Sequence, residues 1–171
     1  MRISLRPWQK PDRHRLAGLA NNMRIWNNVR DRLPHPYTLQ HADAFIAYCA
    51  AQKPPHVLAV TVDDQIAGCI GLEMQTDISR LSAELGYWIG EPFWSKGIAT
   101  EAVKQVLEYT FQSFPSLVRI YAGVFEKNAA SMRVLEKAGF YLEGIRRRAV
   151  VKNEVIMDYY IWVKFSPDDG L

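Results

Sequence analysis

A predicted strand that leads through a short turn into a long amphipathic helix sets the tightest limit on the fold. Residues 82–89 alternate in polarity as a strand does, with Leu85, Tyr87 and Ile89 on one face. Residues 97–114 then place apolar side chains at the i, i+3 and i+4 spacing of a helix that buries one side. A strand followed by such a helix predicts an α/β chain in which helices cover a sheet.

The predicted elements follow the order β, α, α, β, β, β, α, β, α, β, β, in which strands and helices alternate only in the second half. This order predicts a mixed sheet. Asp12 and Thr38 are the expected N-caps of the first two helices, and residues 27–37 are predicted to form a loop. The other predicted strands are residues 3–6, 57–62, 66–73, 118–124, 141–151 and 155–164. The other predicted helices are residues 12–22, the segment after Thr38 and residues 129–138. The predicted hairpin turns are residues 63–65 and 152–154.

The composition limits the class of protein. A chain of 171 residues, 49% hydrophobic and 23% charged, is expected to form one domain over residues 1–171. A net charge of +3 does not indicate a nucleic-acid partner, and no segment approaches the ~20 apolar residues of a membrane helix. Neither Cys49 and Cys69 nor the four histidines have metal-binding spacing, so we expect no metal. A cytoplasmic protein, monomer or homodimer, is the simplest interpretation.

The turn between the predicted strand and helix is a candidate anion site. Gly97 allows a ligand to approach the backbone closely, Ala99 keeps the first helical turn narrow, and Lys96 adds a positive charge. Unpaired N–H groups and the positive end of the helix dipole favour a pyrophosphate there. The alternative is that Gly97 only makes the turn and Lys96 is solvated. The spacing is neither G-x-x-x-x-G-K-[ST] nor G-x-G-x-x-G, so the P-loop and Rossmann signatures are missing.

Two motifs resemble those of the GNAT acetyltransferase superfamily. Residues 94–99 (Trp-Ser-Lys-Gly-Ile-Ala) resemble its pyrophosphate-binding motif Q/R-x-x-G-x-G/A, with Trp94 in place of the first Gln or Arg as in the RimJ/RimL-like branch of ribosomal-protein N-terminal acetyltransferases. Residues 128–140 resemble the second motif of that branch. The resemblance implies the GNAT fold, a central, mixed, mostly antiparallel sheet of about seven strands with a splay between the fourth and fifth strands and about four flanking helices.

The resemblance also implies acetyl-CoA as the acyl donor and assigns residues to it. The backbone of Tyr87, Trp88 and Ile89 is expected to pair with the pantetheine arm. Asn128 is expected to donate a hydrogen bond to pantetheine, although plain N-capping of the following helix explains its position equally well. The pyrophosphate is expected on the backbone of Trp94, Ser95, Lys96, Gly97, Ile98, Ala99 and Thr100.

Acetyl transfer to an amine needs a base for the amine proton and an acid for the leaving thiolate. Glu84, on the strand that lines the expected cleft, is the candidate base, and Glu73 on the preceding strand is its competitor. Glu84 has a structural alternative, an ion pair with an arginine such as Arg80 or Arg146. A backbone N–H of the strand that contains Tyr87 is expected to stabilise the oxyanion.

Many members of the superfamily use a tyrosine of the second motif as the acid, but Leu135 occupies that position. Ser131, one helical turn after Asn128, is therefore the candidate donor, as in the Rim-type branch, and Tyr87 is a reserve. A small helix residue packed near the cofactor is the alternative interpretation of Ser131.

The acceptor amine is expected to contact the first two helices and the loop of residues 27–37 between them, with help from the final hairpin. Asn28, Arg30 and Tyr37 are the candidate contacts, although Arg30 and Asp31 could instead form a surface pair. A protein or peptide N-terminus and a small amine such as a polyamine, an amino acid or an aminoglycoside are both open. A different class of function, a non-catalytic acetyl-CoA-binding regulatory module, also stays open because Leu135 replaces the tyrosine. Neither a nucleic acid nor a membrane is expected as a partner.

Overall fold

Seven strands and five α-helices are found in residues 1–167, the part of the chain that the computed structural model describes. The strands are β1 (Ile3–Pro7), β2 (Val57–Val62), β3 (Gln65–Met74), β4 (Ser82–Ile89), β5 (Arg119–Phe125), β6 (Tyr141–Lys152) and β7 (Val155–Phe165). The helices are α1 (Arg13–Ala20), α2 (Met23–Trp26), α3 (Leu39–Ala50), α4 (Ile98–Ser113) and α5 (Ala129–Lys137), with short 3₁₀ turns at Lys10–Asp12, Asp77–Ser79 and Glu91–Phe93.

All seven strands belong to one sheet in the order β1-β2-β3-β4-β5-β7-β6. Every neighbouring pair is antiparallel except β4 and β5, which are parallel. The predicted mixed, mostly antiparallel sheet is therefore confirmed.

Helices cover both faces of this sheet, and each face buries its own apolar core. Val103 of α4 and Leu135 of α5 are fully buried on one face, in what we call the first core. Leu16 of α1 is fully buried on the other face, in the second core, where α3 also packs. β4 serves both cores because alternate side chains of a strand point to opposite faces, so Leu85 joins the first core and Trp88 packs against the second. Burial of each large aliphatic side chain contributes about 1.5–3 kcal/mol.

Pairing between β4 and β5 stops early, and the strands separate beyond it. Their register joins only Ser82, Ala83 and Glu84 to residues 119–121. β4 continues along β3 and β5 continues along β7, so residues 85–89 have no strand partner on the β5 side. This separation is the predicted splay between the fourth and fifth strands.

The first helical region is shorter than predicted. Asp12 directly precedes α1, as predicted, but its side chain does not cap the helix: Asp12 ends a 3₁₀ turn and makes no capping hydrogen bond to α1. Its carboxylate instead accepts two hydrogen bonds from the Arg6 guanidinium, each 2.8 Å long. α1 ends two residues before the predicted end, and Asn22 Oδ1 accepts from two N–H groups of the separate helix α2. Thr38 caps α3 as predicted.

Both predicted hairpins are present, but each turn is one residue shorter than predicted. Asp63 and Asp64 have φ values of 47° and 65°, and Asn153 and Glu154 have φ values of 50° and 62°. Positive φ at both residues is typical of the two-residue turns that match the twist of a hairpin. Lys152 therefore does not belong to the turn: it is the last residue of β6, and its side chain is only 3% exposed.

Candidate active site

A cleft of about 1010 Å³ opens where β4 and β5 separate, and we call it the central cleft. One end lies against the turn into α4, residues 94–100. The middle lies between residues 85–89 of β4 and residues 122–125 of β5, and the other end is lined by Glu73, Glu84 and the loop after α2. All the residues that the sequence predicted for the donor, the acceptor and the proton transfers line this one cleft.

The turn into α4 leaves backbone N–H groups open at one end of the central cleft. Gly97 has a φ of +75°, a left-handed conformation that glycine adopts at the lowest cost, and it directly precedes Ile98, the first residue of α4. The first N–H groups of a helix lack internal acceptors, and no side chain caps this helix. A Cβ added to Gly97 would meet no atom within 4 Å. The open space, the free N–H groups and the helix dipole together fit a phosphate-bearing ligand.

Side chains around the turn hold it against the sheet. Trp94 Nε1 donates a hydrogen bond of 2.6 Å to the carbonyl oxygen of Ile89, at the end of β4. Lys96 Nζ donates to the carbonyl oxygen of Pro92 at 3.0 Å, which keeps the ammonium group beside the turn. The Ile98 side chain is buried in the core, so only its backbone can contact a ligand in the cleft.

Tyr87 and Ser131 form a hydroxyl pair on the wall of the cleft. Tyr87 Oη lies 2.7 Å from Ser131 Oγ and also donates to the Ser131 carbonyl oxygen at 3.3 Å. Burial raises the pKa of Tyr87 to about 12, although the hydrogen bond with Ser131 partly opposes this shift, so the phenol is protonated at neutral pH. Asn128 Oδ1 accepts from Ser131 N at 3.2 Å, which is the capping arrangement weighed as an alternative to ligand contact.

Glu84 lies at the last position where β4 pairs with β5, and its side chain is 16% exposed. Its Oε2 atom lies 3.5 Å from Arg30 Nη1, and its Oε1 atom accepts a hydrogen bond of 3.4 Å from Tyr159 Oη. Both contacts are long, so the carboxylate keeps capacity to accept a further hydrogen. The alternative role of Glu84, an ion pair with an arginine, involves a different arginine from those predicted. Arg30 contacts Glu84, and neither Arg80 nor Arg146 bonds to it in residues 1–167.

Glu73, the competing base, has less capacity to accept a proton. Arg30 Nη2 and Arg32 Nη1 both donate to its Oε2 atom, at 2.6 Å and 2.7 Å. The hydrogen bond from Arg30 and the charges of both arginines lower the pKa of Glu73, against the smaller opposing effect of burial. Glu73 is therefore held in its ionised form, and Glu84 is better suited to collect a proton.

The three predicted acceptor contacts differ in their accessibility. Arg30 lies beside Glu84, and Asn28 is exposed and donates to a backbone carbonyl of α2 at 2.9 Å. Tyr37 is only 6% exposed and packs in the second core, where burial raises the pKa of its phenol well above the usual value. An Arg30–Asp31 surface pair is wrong, because Arg30 pairs with Glu73 and Asp31 pairs with Lys152.

The sequence analysis missed an interaction that ties the predicted acceptor loop, residues 27–37, and the end of α2 to the β6–β7 hairpin. The buried Lys152 Nζ lies 3.4 Å from the centre of the Trp26 ring and 2.7 Å from Asp31 Oδ1. Asn153 Nδ2 donates to Asn27 Oδ1 at 2.8 Å. We call these five residues the hairpin clasp.

Tyr159 was also missed as a residue of the cleft, since the sequence analysis placed it only within the last strand. A signal was available in the neighbouring strand. Gly123 interrupts the apolar interior of β5, and a glycine inside a strand often marks the close approach of another group. The sequence does not tell which group approaches.

Residues 1–167 contain neither a membrane-spanning helix nor a cluster of metal ligands. No helix among residues 1–167 is long and apolar enough to cross a membrane. No cluster of three or more His, Cys, Asp or Glu side chains in the same part of the chain could hold a metal ion.

Comparisons with known proteins agree with this geometry. The family model described as an acetyltransferase (GNAT) domain matches residues 2–141. A protein of Bacillus subtilis (strain 168), named as the probable N-acetyltransferase YjcK, is 42% identical over 107 residues, which are 63% of this chain and 59% of that relative. The matched region therefore spans less than two thirds of the relative.

Solved structures show the same fold at low sequence identity. The ribosomal-protein-S5-alanine acetyltransferase of Vibrio fischeri superposes with a TM-score of 0.84 at 20% identity and covers 98% of this chain and 95% of its own. The spermidine N-acetyltransferase of Vibrio cholerae, in complex with CoA and spermine, superposes with a TM-score of 0.79 at 22% identity and covers 95% of both chains. The match of the family model over most of the sequence, on a sheet with the expected splay, shows that the chain belongs to the GNAT acetyltransferase family.

Proposed function

We propose that this protein transfers an acetyl group from acetyl-CoA to a primary amine by direct attack in a ternary complex. The observation that carries the proposal is the central cleft, which has an anion-binding turn at one end and Glu84 at the other. Membership of the GNAT family supports the reaction class. The Vibrio cholerae neighbour with CoA and spermine supports a site where donor and amine meet.

The chain offers a complete set of donor contacts along the cleft. The N–H groups at the start of α4 and the ammonium of Lys96 would hold the pyrophosphate. Arg133 and Lys137 of α5 add positive charge to the same wall. The unpaired edge of residues 85–89 would pair with the pantetheine arm, and one of its N–H groups would stabilise the oxyanion. When bound, acetyl-CoA supplies the thioester carbonyl that the amine attacks.

Proton transfer is assigned to side chains on opposite faces of β4. Glu84 collects the proton that the acceptor amine loses, because its carboxylate keeps acceptor capacity beside the cleft. The pair of Tyr87 and Ser131 holds a proton that can pass to the leaving thiolate. The alternative of a non-catalytic acetyl-CoA-binding module depended on Leu135. Tyr87 weakens that alternative by supplying a protonated phenol from another element.

The acceptor is a peptide N-terminus or a small amine. The two solved neighbours act, by their names, on a ribosomal-protein alanine and on spermidine, so the fold hosts acceptors of both kinds. The acceptor end of this cleft contains Arg30 and Arg32 together with Glu73 and Glu84. Two guanidinium groups beside two carboxylates balance the local charge, which opposes a polycation and favours an acceptor with few positive charges.

The test measures acetyl-CoA binding by calorimetry in the wild type and in two variants, Gly97→Ala and Gly97→Glu. Both variants force a side chain into the left-handed conformation, so both carry the same backbone strain. Only Gly97→Glu adds bulk and negative charge where the pyrophosphate would lie. We expect a micromolar dissociation constant for the wild type, modest weakening in Gly97→Ala and nearly complete loss in Gly97→Glu.

The same samples are then screened against peptide N-termini, amino acids, aminoglycosides and polyamines by release of the free thiol. Amine-dependent release that Gly97→Glu abolishes supports the proposal. Equal binding in the two variants contradicts the donor site. Binding without amine-dependent release across the whole panel favours the regulatory module instead.

A further inference from the structure

The Tyr159 side chain crosses one strand of the sheet to reach another. Tyr159 lies on β7, where the register pairs it with Phe125 of β5. A Cβ added to Gly123 of β5 would lie 2.0 Å from the Cζ and Oη atoms of Tyr159, so the phenol occupies the space that a side chain at position 123 would fill. Beyond β5, the phenol reaches Glu84 of β4, with 3.4 Å between Oη and Oε1.

The surroundings of this phenol keep it neutral. Burial raises the pKa of Tyr159 to about 12, and the negative charge of Glu84 adds to the shift. The Phe125 ring packs against it with 6.0 Å between the ring centroids. At neutral pH the hydroxyl therefore keeps its proton and donates a hydrogen bond to the Glu84 carboxylate.

The two oxygen atoms of Glu84 have different partners. Oε1 accepts from Tyr159, while Oε2 faces Arg30 at 3.5 Å, and the closer carboxylate of Arg30 is Glu73 at 2.6 Å. A full ion pair with a guanidinium stabilises the ionised carboxylate strongly and would make it a weaker base. A hydrogen bond from a neutral phenol orients the carboxylate without pairing it with a cation, and it is weaker than a charge-assisted hydrogen bond from a guanidinium.

We infer that Tyr159 is a positioning residue for acetyl transfer. Its hydroxyl holds the Glu84 carboxylate toward the central cleft and away from a closer ion pair with Arg30, and Gly123 provides the gap through which it reaches Glu84. This inference rests on the proposed role of Glu84 as the base. It adds an element, β7, that the sequence patterns did not connect with the chemistry.

The experiment is a double-mutant cycle of Tyr159→Phe and Glu84→Gln, measured by steady-state thiol release with an acceptor from the screen. Tyr159→Phe keeps the ring over Gly123 and removes only the hydroxyl. We expect kcat to fall about tenfold while KM for acetyl-CoA changes by less than about twofold. In the Glu84→Gln background, the same substitution should cause no further loss, because both changes disable the same base.

Tyr160→Phe is the matched control, since Tyr160 is the next residue of β7, packs against the first core, and has no side-chain hydrogen bond among the described residues. It should keep the wild-type kcat. Calorimetry with acetyl-CoA verifies that each variant is folded.

The failures of the two proposals are distinguishable. A wild-type protein that transfers acetyl groups to no amine overturns the proposed function and this inference with it. An active wild type in which Tyr159→Phe keeps full kcat, or in which the two substitutions reduce kcat independently, overturns only the positioning role of Tyr159. A Glu84→Gln variant with full kcat overturns both that role and the assignment of the base.

Discussion

Tyr87 and Ser131 share a hydrogen bond, but they differ as acids. The Tyr87 phenol, with a pKa of about 12, is a far stronger acid than an aliphatic hydroxyl. It donates to the Ser131 carbonyl oxygen and shares a hydrogen bond with Ser131 Oγ. The sequence pattern favoured Ser131 as the donor because it follows Asn128 by one helical turn. The contacts favour a division of labour in which Tyr87 gives the proton and Ser131 orients the phenol.

Removing each hydroxyl separately tests this division. Tyr87→Phe should lower kcat by about 10- to 100-fold without weakening acetyl-CoA binding, because the β4 backbone is unchanged. Ser131→Ala should lower kcat by about threefold or less, since the phenol keeps its carbonyl partner. Steady-state kinetics and acetyl-CoA calorimetry provide the two readouts.

Tyr109→Phe is the control for the loss of a buried hydroxyl. Tyr109 Oη donates to the Pro55 carbonyl oxygen at 2.7 Å, and the residue lies outside the central cleft. This variant should be less stable than the wild type but equally fast. A Ser131→Ala variant slower than Tyr87→Phe would reverse the assignment.

At the level of single residues, local spacing predicted what local geometry controls. Strand alternation placed Glu84 on the face opposite Leu85, and helical spacing placed Ser131 above Asn128, because both depend on a few consecutive residues. Tyr159 could not be connected with Glu84 in the same way. That contact spans 75 residues of sequence and depends on the register of β5 and β7 and on the gap at Gly123.

At the level of elements, the hairpin clasp connects the acceptor loop with the β6–β7 hairpin. Lys152 is buried between the Trp26 ring and the exposed Asp31 carboxylate, so its charge has one aromatic and one ionic partner. A desolvated cation over an indole ring is stabilised by about 2 kcal/mol. The clasp therefore fixes one end of the loop that carries Arg30, and through it the shape of the acceptor end of the cleft.

Lys152→Met keeps the aliphatic stem and removes the charge. We expect the free energy of unfolding to fall by about 1–2 kcal/mol and KM for the acceptor to rise, with acetyl-CoA binding unchanged. Lys104→Met is a matched control, because Lys104 is exposed on α4 and forms no salt bridge in the described part of the chain. Urea unfolding and steady-state kinetics measure both effects. An unchanged acceptor KM in a destabilised Lys152→Met protein would mean that the clasp supports stability alone.

Element boundaries were predicted best where one strong periodicity decided them. The apolar stripe of α4 and the capping residue Thr38 of α3 gave elements close to those observed. The region of α1 was predicted too long because Asn22, its predicted last residue, caps the separate helix α2. The side-chain cap was predicted wrongly because Asp12 has two possible uses. A carboxylate before a helix can cap it or bind a cation. Asp12 binds a cation, because the Arg6 guanidinium lies only six residues away in sequence and donates two hydrogen bonds to it.

At the level of the whole molecule, the splay gives the sheet a passage from one face to the other. α4 and α5 cover the face that Tyr87 packs against, and α1 and α3 cover the face toward which Trp88 points. Glu84 and Tyr87 alternate across β4, so the proposed base and the proposed acid lie on opposite faces. In the proposed reaction, the amine and the donor would therefore approach the same reacting centre from opposite sides of the sheet.

The buried phenols also make the stability of the whole molecule sensitive to alkali. Burial raises the pKa of Tyr87 and of Tyr159 to about 12, and it raises the pKa of the Cys49 thiol to about 12 as well. The unfolded chain loses these protons near the ordinary values of about 10 for tyrosine and about 8.5 for cysteine. A raised pKa in the folded state gives stability that is complete below the unfolded pKa and disappears as the pH rises through the folded pKa. The free energy of unfolding should therefore decrease from about pH 8.5 toward pH 12.

Urea unfolding of the wild type and of Tyr87→Phe at several pH values isolates one contribution. Removal of the Tyr87 phenol should make the loss of stability between about pH 9 and pH 11 smaller by about 1 kcal/mol, since a shift of one pKa unit corresponds to about 1.4 kcal/mol. Phe140→Leu is the control, because it perturbs the same core without a titrating group and should lower the free energy of unfolding equally at every pH. Parallel pH curves for the wild type and Tyr87→Phe would contradict the raised pKa of Tyr87.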